Sequence, residues 1–194
     1  PMYKEILNSQ SFDPIVISDL CKNGSMTKQY QYQKHMTHHM PRGVDLKWVV
    51  EAKHVFLIRS PARVIASYRQ KMPSVTEDDI GIVRQRELYD EISAILGERP
   101  PVLDSADVLA NPEHMLQKLC HTLGIEWIEG AMTKWASGSR ASDGVWAPHW
   151  YAAVEASTGF AAPAVEVPAL NPADEALACR MQAHYEAMAA FKLI

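Results

Sequence analysis

The feature that most constrains this chain is the junction HVFLI-RS-PARVIASYRQK at residues 54–71. Five apolar or aromatic-rich residues in a row are too short for a helix and read as a parallel strand buried on both faces. The next residues change the backbone at once. Ser60 suits an N-cap and Pro61 a first helical position, so a helix is expected over 61–71. A buried strand feeding directly into a capped helix is half of a strand–helix–strand unit, which points to helices packed on a parallel sheet.

The rest of the chain fits that reading. Short helices are expected at 3–10 and 14–22, a turn at 22–25, and an alternating strand at 30–34 (YQYQK). A helix is expected over 45–52, and a long one over 76–96 with Ile80, Val83, Leu88, Ile92 and Ile95 on one face. Residues 101–103 form a second strand candidate. Asn111-Pro112 opens a helix closed by Gly124, and Asn171-Pro172 opens a last one that runs to about residue 191. Four of the five tryptophans fall within 127–160, and residues 163–168 read as an irregular connection. No internal repeat is visible. The expected class is α/β, with residues 1–194 as a single domain.

Charge narrows the function. Nineteen Lys and Arg stand against 23 Asp and Glu, a net charge of −4, so no nucleic-acid partner is expected, although one small anion still has a place to bind. No run is long enough to span a membrane. Three widely separated cysteines, Cys21, Cys120 and Cys179, read as reduced thiols in a cytoplasmic protein.

Three segments can carry chemistry. At the strand-to-helix junction, Arg59 and the backbone N–H groups of the helix start converge on a place suited to an anion. The alternative is an ion pair between Arg59 and a surface carboxylate. The second segment, Lys34-His35-Met36-Thr37-His38-His39, offers an anion contact and a neutral imidazole for proton removal. A solvated loop is the next reading, and a metal site the last, because the glutamate usual between zinc-hydrolase histidines is missing. The third, residues 138–150, places Arg140 and Gly144 near Trp146, a set able to hold a flat base and its phosphate, or simply to cover a core edge.

In combination these segments resemble the sulfotransferases that use 3′-phosphoadenosine-5′-phosphosulfate (PAPS). FLIRSPARVIASYRQK at 56–71 is similar to their 3′-phosphate motif, an Arg after a strand and a Ser eight residues later. The resemblance implies that Arg59 and Ser67 hold the 3′-phosphate; spacing by itself makes Ser67 only a small packing residue. QKHMTHHMP at 33–41 is similar to the Lys-Thr-His-x-Pro segment of the cytosolic members, which implies a sulfonate-contacting role for Lys34. The implied base is His39 by its spacing to Pro41, or His35 by its closeness to Lys34, or His38. SRASDGVWAPHW at 139–150 resembles their late nucleotide loop and carries Arg140, Gly144 and Trp146 with it. The order of motifs resembles a bacterial sulfotransferase-like group more than the animal enzymes.

The implied fold is the P-loop nucleotide-binding type, a parallel sheet flanked by helices, and the implied reaction moves a sulfonate from PAPS to a hydroxyl or amine of a small-molecule acceptor without a metal. One family feature is missing: no Gly-x-x-x-x-Gly-Lys-Ser/Thr or similar 5′-phosphosulfate loop occurs. The start at Pro1 leads to the expectation that the domain extends upstream. The rival readings are an inactive nucleotide-binding module and a small-molecule kinase or nucleotide hydrolase of the same fold. The last helix either closes the core or pairs with a second copy.

Overall fold

The computed structural model describes residues 3–24, 29–140, 143–163, 166 and 168–194. Parts of the turn expected at 22–25, of the loop at 139–150 and of the connection at 163–168 lie outside them. The HVFLI run forms strand β1, Phe56–Ile58, which pairs in parallel with β2, Val102–Asp104. The register sets Phe56 against Val102, Leu57 against Leu103 and Ile58 against Asp104. On its other edge β2 takes a parallel bridge from Lys192, with Leu193 N–H donating to Val102 O at 2.8 Å.

β2 is buried throughout, but β1 is not: Leu57 is 58% exposed. The expectation of burial on both faces is corrected there. Alternation sends Phe56 and Ile58 to one face and Leu57 to the other, and only the first face is packed. Ile58 and Val102 meet Tyr89 and Met188, while Leu103 meets Met115, Leu116 and Leu119. These contacts bring helices to both faces of β2, so the architecture is α/β with a small parallel sheet.

Helix α1 (Tyr3–Ser9) and helix α2 (Pro14–Asn23) form as expected, α2 capped by Asp13 accepting from Ile15 N–H at 2.8 Å. α3 covers Pro61–Arg69 with Pro61 in its first turn. Ser60 occupies the N-cap position, but its hydroxyl makes no capping bond; its carbonyl takes Arg63 and Val64 N–H at 3.0 and 3.1 Å.

The single helix expected over 76–96 is two. α4 (Glu77–Ile80) carries a capping box between Thr76 and Asp79, and α5 runs Ile82–Leu96. Gly81 at φ 63° breaks them, a left-handed conformation that the apolar period does not reveal. Two other expectations also change. YQYQK forms no strand: no described strand pairs with it, and Tyr32 is 85% exposed. A strand without a partner leaves its backbone groups to solvent and has nothing to fix it. Over 45–52 only a 3-10 helix forms, Lys47–Glu51, anchored by buried Val49.

Past β2, Asp104 caps α6 (Ser105–Ala110), and Asn111 caps α7 (Pro112–Leu123), which Gly124 closes at φ 62°. The tryptophan-rich stretch contains the short helices α8 (Ala147–Trp150) and α9 (Ala152–Glu155) and a bridge between Lys134 and Gly159. α10 (Pro172–Ala189) closes the core, burying Leu177 and Met181 against Ile65 and Ile82. No helix among the described residues is long and apolar enough to cross a membrane.

Gly81 gives a direct test of the α4–α5 corner. A Cβ there would lie 2.2 Å from Thr37 Oγ1, in a backbone conformation that L-residues avoid. Gly81→Ala is expected to destabilise the fold by about 2 kcal/mol, seen as a Tm lower by roughly 4–8 °C. An unchanged melting curve would refute the corner.

Candidate functional site

The junction places Arg59 just beyond the end of β1 and at the start of α3. Its side chain reaches solvent and makes no hydrogen bond or ion pair among the described residues. Partial burial, then the charge of Arg63, push its pKa down. The guanidinium still stays charged, so like charges stand together at a helix start without a carboxylate on Arg59. Such a place suits an anion. Ser67 is exposed farther along α3. Arg63 and Ser67 are four residues apart and share a helix face. Arg63 is a site candidate that the sequence reading passed over, although the fourfold spacing of Arg59, Arg63 and Ser67 was there to be read.

The histidine segment folds around a single 3-10 turn, Thr37–His39. His35 Nε2–H donates to Gln33 Oε1 at 3.2 Å, and its ring lies 5.6 Å from Trp48. The rings of His38 and His39 make an edge-on contact at 4.4 Å, and neither imidazole makes a hydrogen bond among the described residues. Burial pushes all three imidazoles below the ordinary histidine value. His54 and His39 lower His35 further, Lys34 lowers His39, and His39 lowers His38 while Asp79 pulls it up. These groups are biased to the neutral form, which can accept a proton. Burial, and then Asp79, push the Tyr68 phenol on the helix that carries Ser67 above the ordinary tyrosine value.

The third segment stands apart. Arg140 N–H donates to Asp143 Oδ2 at 2.9 Å, and Asp143 N–H returns a bond to Arg140 O at 3.0 Å. Trp146 lies against Gly144, where a Cβ would sit 2.3 Å from the ring, and its Nε1–H donates to Tyr151 at 3.2 Å. The glycine is therefore needed for the indole to pack. No hydrogen bond, ion pair or ring contact among the described residues ties this corner to Arg59, Ser67 or residues 34–39.

A cavity of about 280 Å³ opens beside His38, walled by Thr37, Arg42, Glu77, Asp78 and Arg84. It does not include Arg59 or Ser67. Among the described residues no group of three or more His, Cys, Asp or Glu side chains is placed to hold a metal ion.

Comparison with known proteins adds an independent line. The family described as "Sulfotransferase domain" matches residues 1–192. Two curated relatives from Arabidopsis thaliana are similar: branched-chain-amino-acid aminotransferase-like protein 1, 32% identical with 84% of this chain and 31% of that protein covered, and its protein 2 counterpart, 30% identical with 84% and 29% covered. The chain thus spans about a third of the length of these relatives. No solved structure matches it.

The histidine environment predicts a pH dependence. A histidine whose folded pKa lies below its unfolded value binds fewer protons when folded, so acidification through that interval favours unfolding. Stability is expected to fall as pH drops below the ordinary histidine value of about 6.5 toward the lowered folded values. Changing His35, His38 and His39 together to Gln should flatten that part of the Tm–pH curve; an unaltered slope would contradict the assignment.

Proposed function

The chain belongs to the sulfotransferase-domain family, and on that premise we propose that it transfers a sulfonate group from PAPS to a hydroxyl or amine of a small acceptor, on a fold of the P-loop nucleotide-binding type. The observation that carries the reading is Arg59: an arginine without a carboxylate at a strand end, with a second arginine beside it and a hydroxyl farther along the same helix. That set fits a 3′-phosphate. PAPS supplies the sulfonate and a leaving phosphate when bound.

The residues of this chain do the rest by position and electrostatics. Arg59 and Ser67 hold the 3′-phosphate, with Arg63 adding charge. Arg140, Gly144 and Trp146 bound the nucleotide from the second corner. His39 takes the acceptor proton on a ring nitrogen, with His38 and His35 as alternates, and Lys34 beside it offsets negative charge on the oxygen that develops it. No 5′-phosphosulfate loop is present in the 194 residues, so the roles assigned to this chain concern the 3′-phosphate and the acceptor.

The relatives' names point to a different chemistry, but they describe proteins about three times as long, whereas the sulfotransferase match runs nearly the length of this chain. A second reading, nucleotide binding without turnover, is favoured because no hydrogen bond, ion pair or ring contact among the described residues joins the Arg140 corner to Arg59.

The test compares thermal shifts by 3′-phosphoadenosine-5′-phosphate and adenosine-5′-monophosphate. A ligand that binds only the native state raises Tm by mass action, so the difference isolates the 3′-phosphate. The bisphosphate should stabilise the protein and the monophosphate should not. Arg59→Ala should weaken bisphosphate binding roughly tenfold to a hundredfold, as loss of a charged hydrogen-bond donor does. Equal affinity would remove Arg59 from the site. Binding without PAPS turnover against a panel of amines and alcohols would support the second reading.

A further inference from the structure

Residues 34–41 carry Lys34 and the three histidines, yet they belong to no ladder and contain one short turn, closed by His39 N–H to Met36 O at 2.9 Å and Met40 N–H to Thr37 O at 3.0 Å. A segment of that kind keeps one conformation only if rigid elements hold its polar groups. Two ties bracket His38 and His39. Before them, Thr37 Oγ1 donates to Gly81 O at 3.1 Å. After them, Arg84 Nε–H donates to Met40 O at 2.7 Å and Nη2–H to Pro41 O at 3.3 Å.

Arg84 sits in the first turn of α5 and is only 8% exposed. Its remaining donors go to carboxylates on the same helix: Nη1 to Glu91 Oε1 at 2.6 Å and Glu87 Oε2 at 3.3 Å, and Nη2 to Glu91 Oε2 at 3.5 Å. All five guanidinium N–H donors are thus engaged. The carboxylates offset the buried charge, and the planar fork reaches two consecutive carbonyls. A lysine ammonium has neither the fork nor the number of donors.

We propose that Arg84 is a positioning residue of the candidate site: it fixes residues 37–41 against α5 and so sets where His38 and His39 stand. It acts through the backbone of the segment. The groups that face the two imidazoles are each other, Asp79 beside His38, Lys34 and His35 beside His39, and Arg42, Glu77, Asp78 and Arg84 across the cavity from His38. Only the catalytic consequence of this inference rests on the sulfonate-transfer reading.

The experiment compares wild type with Arg84→Lys and Arg84→Gln. Histidine side-chain NMR titrations are recorded beside bisphosphate binding and steady-state rates with PAPS. Lysine keeps the charge and loses the fork, so a change common to both variants reports position and not field. In both, His38 and His39 should titrate nearer the ordinary histidine value as the segment loosens. Bisphosphate affinity should stay within about twofold, since Arg59 is on another element. The value of kcat should fall roughly tenfold to a hundredfold with nucleotide KM unchanged, as misplacing a proton-transfer group does.

Unchanged His38 and His39 titrations in Arg84→Lys would overturn the proposal. So would a loss of bisphosphate affinity as large as the loss of kcat, because that would mark general damage. If Arg84→Gln does not fold, Arg84→Lys decides by itself. If the wild type neither binds the bisphosphate nor turns over, the sulfonate reading falls and the titrations still decide on Arg84.

Discussion

Strand β2 is three residues long, and two clusters of the core meet on it, one through Val102 and one through Leu103. β1 pairs along one edge, Lys192 bridges the other, and helices pack on both faces through Val102 and Leu103. Because β1 and β2 are parallel, both chains leave the sheet at the same end, and helices α3 and α6 begin there. Ligands of α/β sheets sit at that end, where helix starts and strand ends converge. The register of three residue pairs therefore decides where Arg59 stands. A slip by one residue would exchange Ile58 for Leu57 on the packed face and turn the site away with it.

The features written locally were legible. An apolar run, Ser-Pro and Asn-Pro helix starts, and Gly124 as a helix end each act over a few residues, so β1, α3, α7 and α10 could be read directly. What depended on a partner could not. YQYQK alternates as a strand does, but alternation says nothing about whether another strand lies beside it. Gly81 breaks a helix whose apolar spacing continues on both sides of the break, so the period hid it.

The site divides in the same way. Arg59 was visible from its junction, whereas Ser67 drew attention only through family resemblance, since a small helical residue has an ordinary packing explanation. Arg84 had no sequence signal at all: the carbonyls it holds are 44 and 43 positions away, and a buried arginine in an amphipathic helix looks like an exposed one until the fold closes. The histidine segment was legible as chemistry and illegible as geometry, because its shape is set by Gly81 and Arg84 outside it.

Charge pairing explains why Arg59 is the informative cation. In a chain of net charge −4, carboxylates are not scarce. Arg42 is paired with Glu87, Arg86 with Asp90 and Lys192 with Asp107, and on α3 itself Arg69 reaches the mostly buried Asp174 at 3.1 Å. The carboxylate beside Ile58 in the sheet register is Asp104, only 2% exposed. Both of its oxygens are engaged elsewhere: Oδ1 takes Ala106 N–H at 2.8 Å, and Oδ2 takes the Tyr185 hydroxyl. Burial, and then the bond to Asp104, push Tyr185 well above the ordinary tyrosine value, so it remains a donor and that engagement persists across the working pH range. The fold thus uses this carboxylate to cap a helix and join α10 to the sheet. Arg59, by contrast, makes no ion pair among the described residues, and that is the property the proposed 3′-phosphate role draws on.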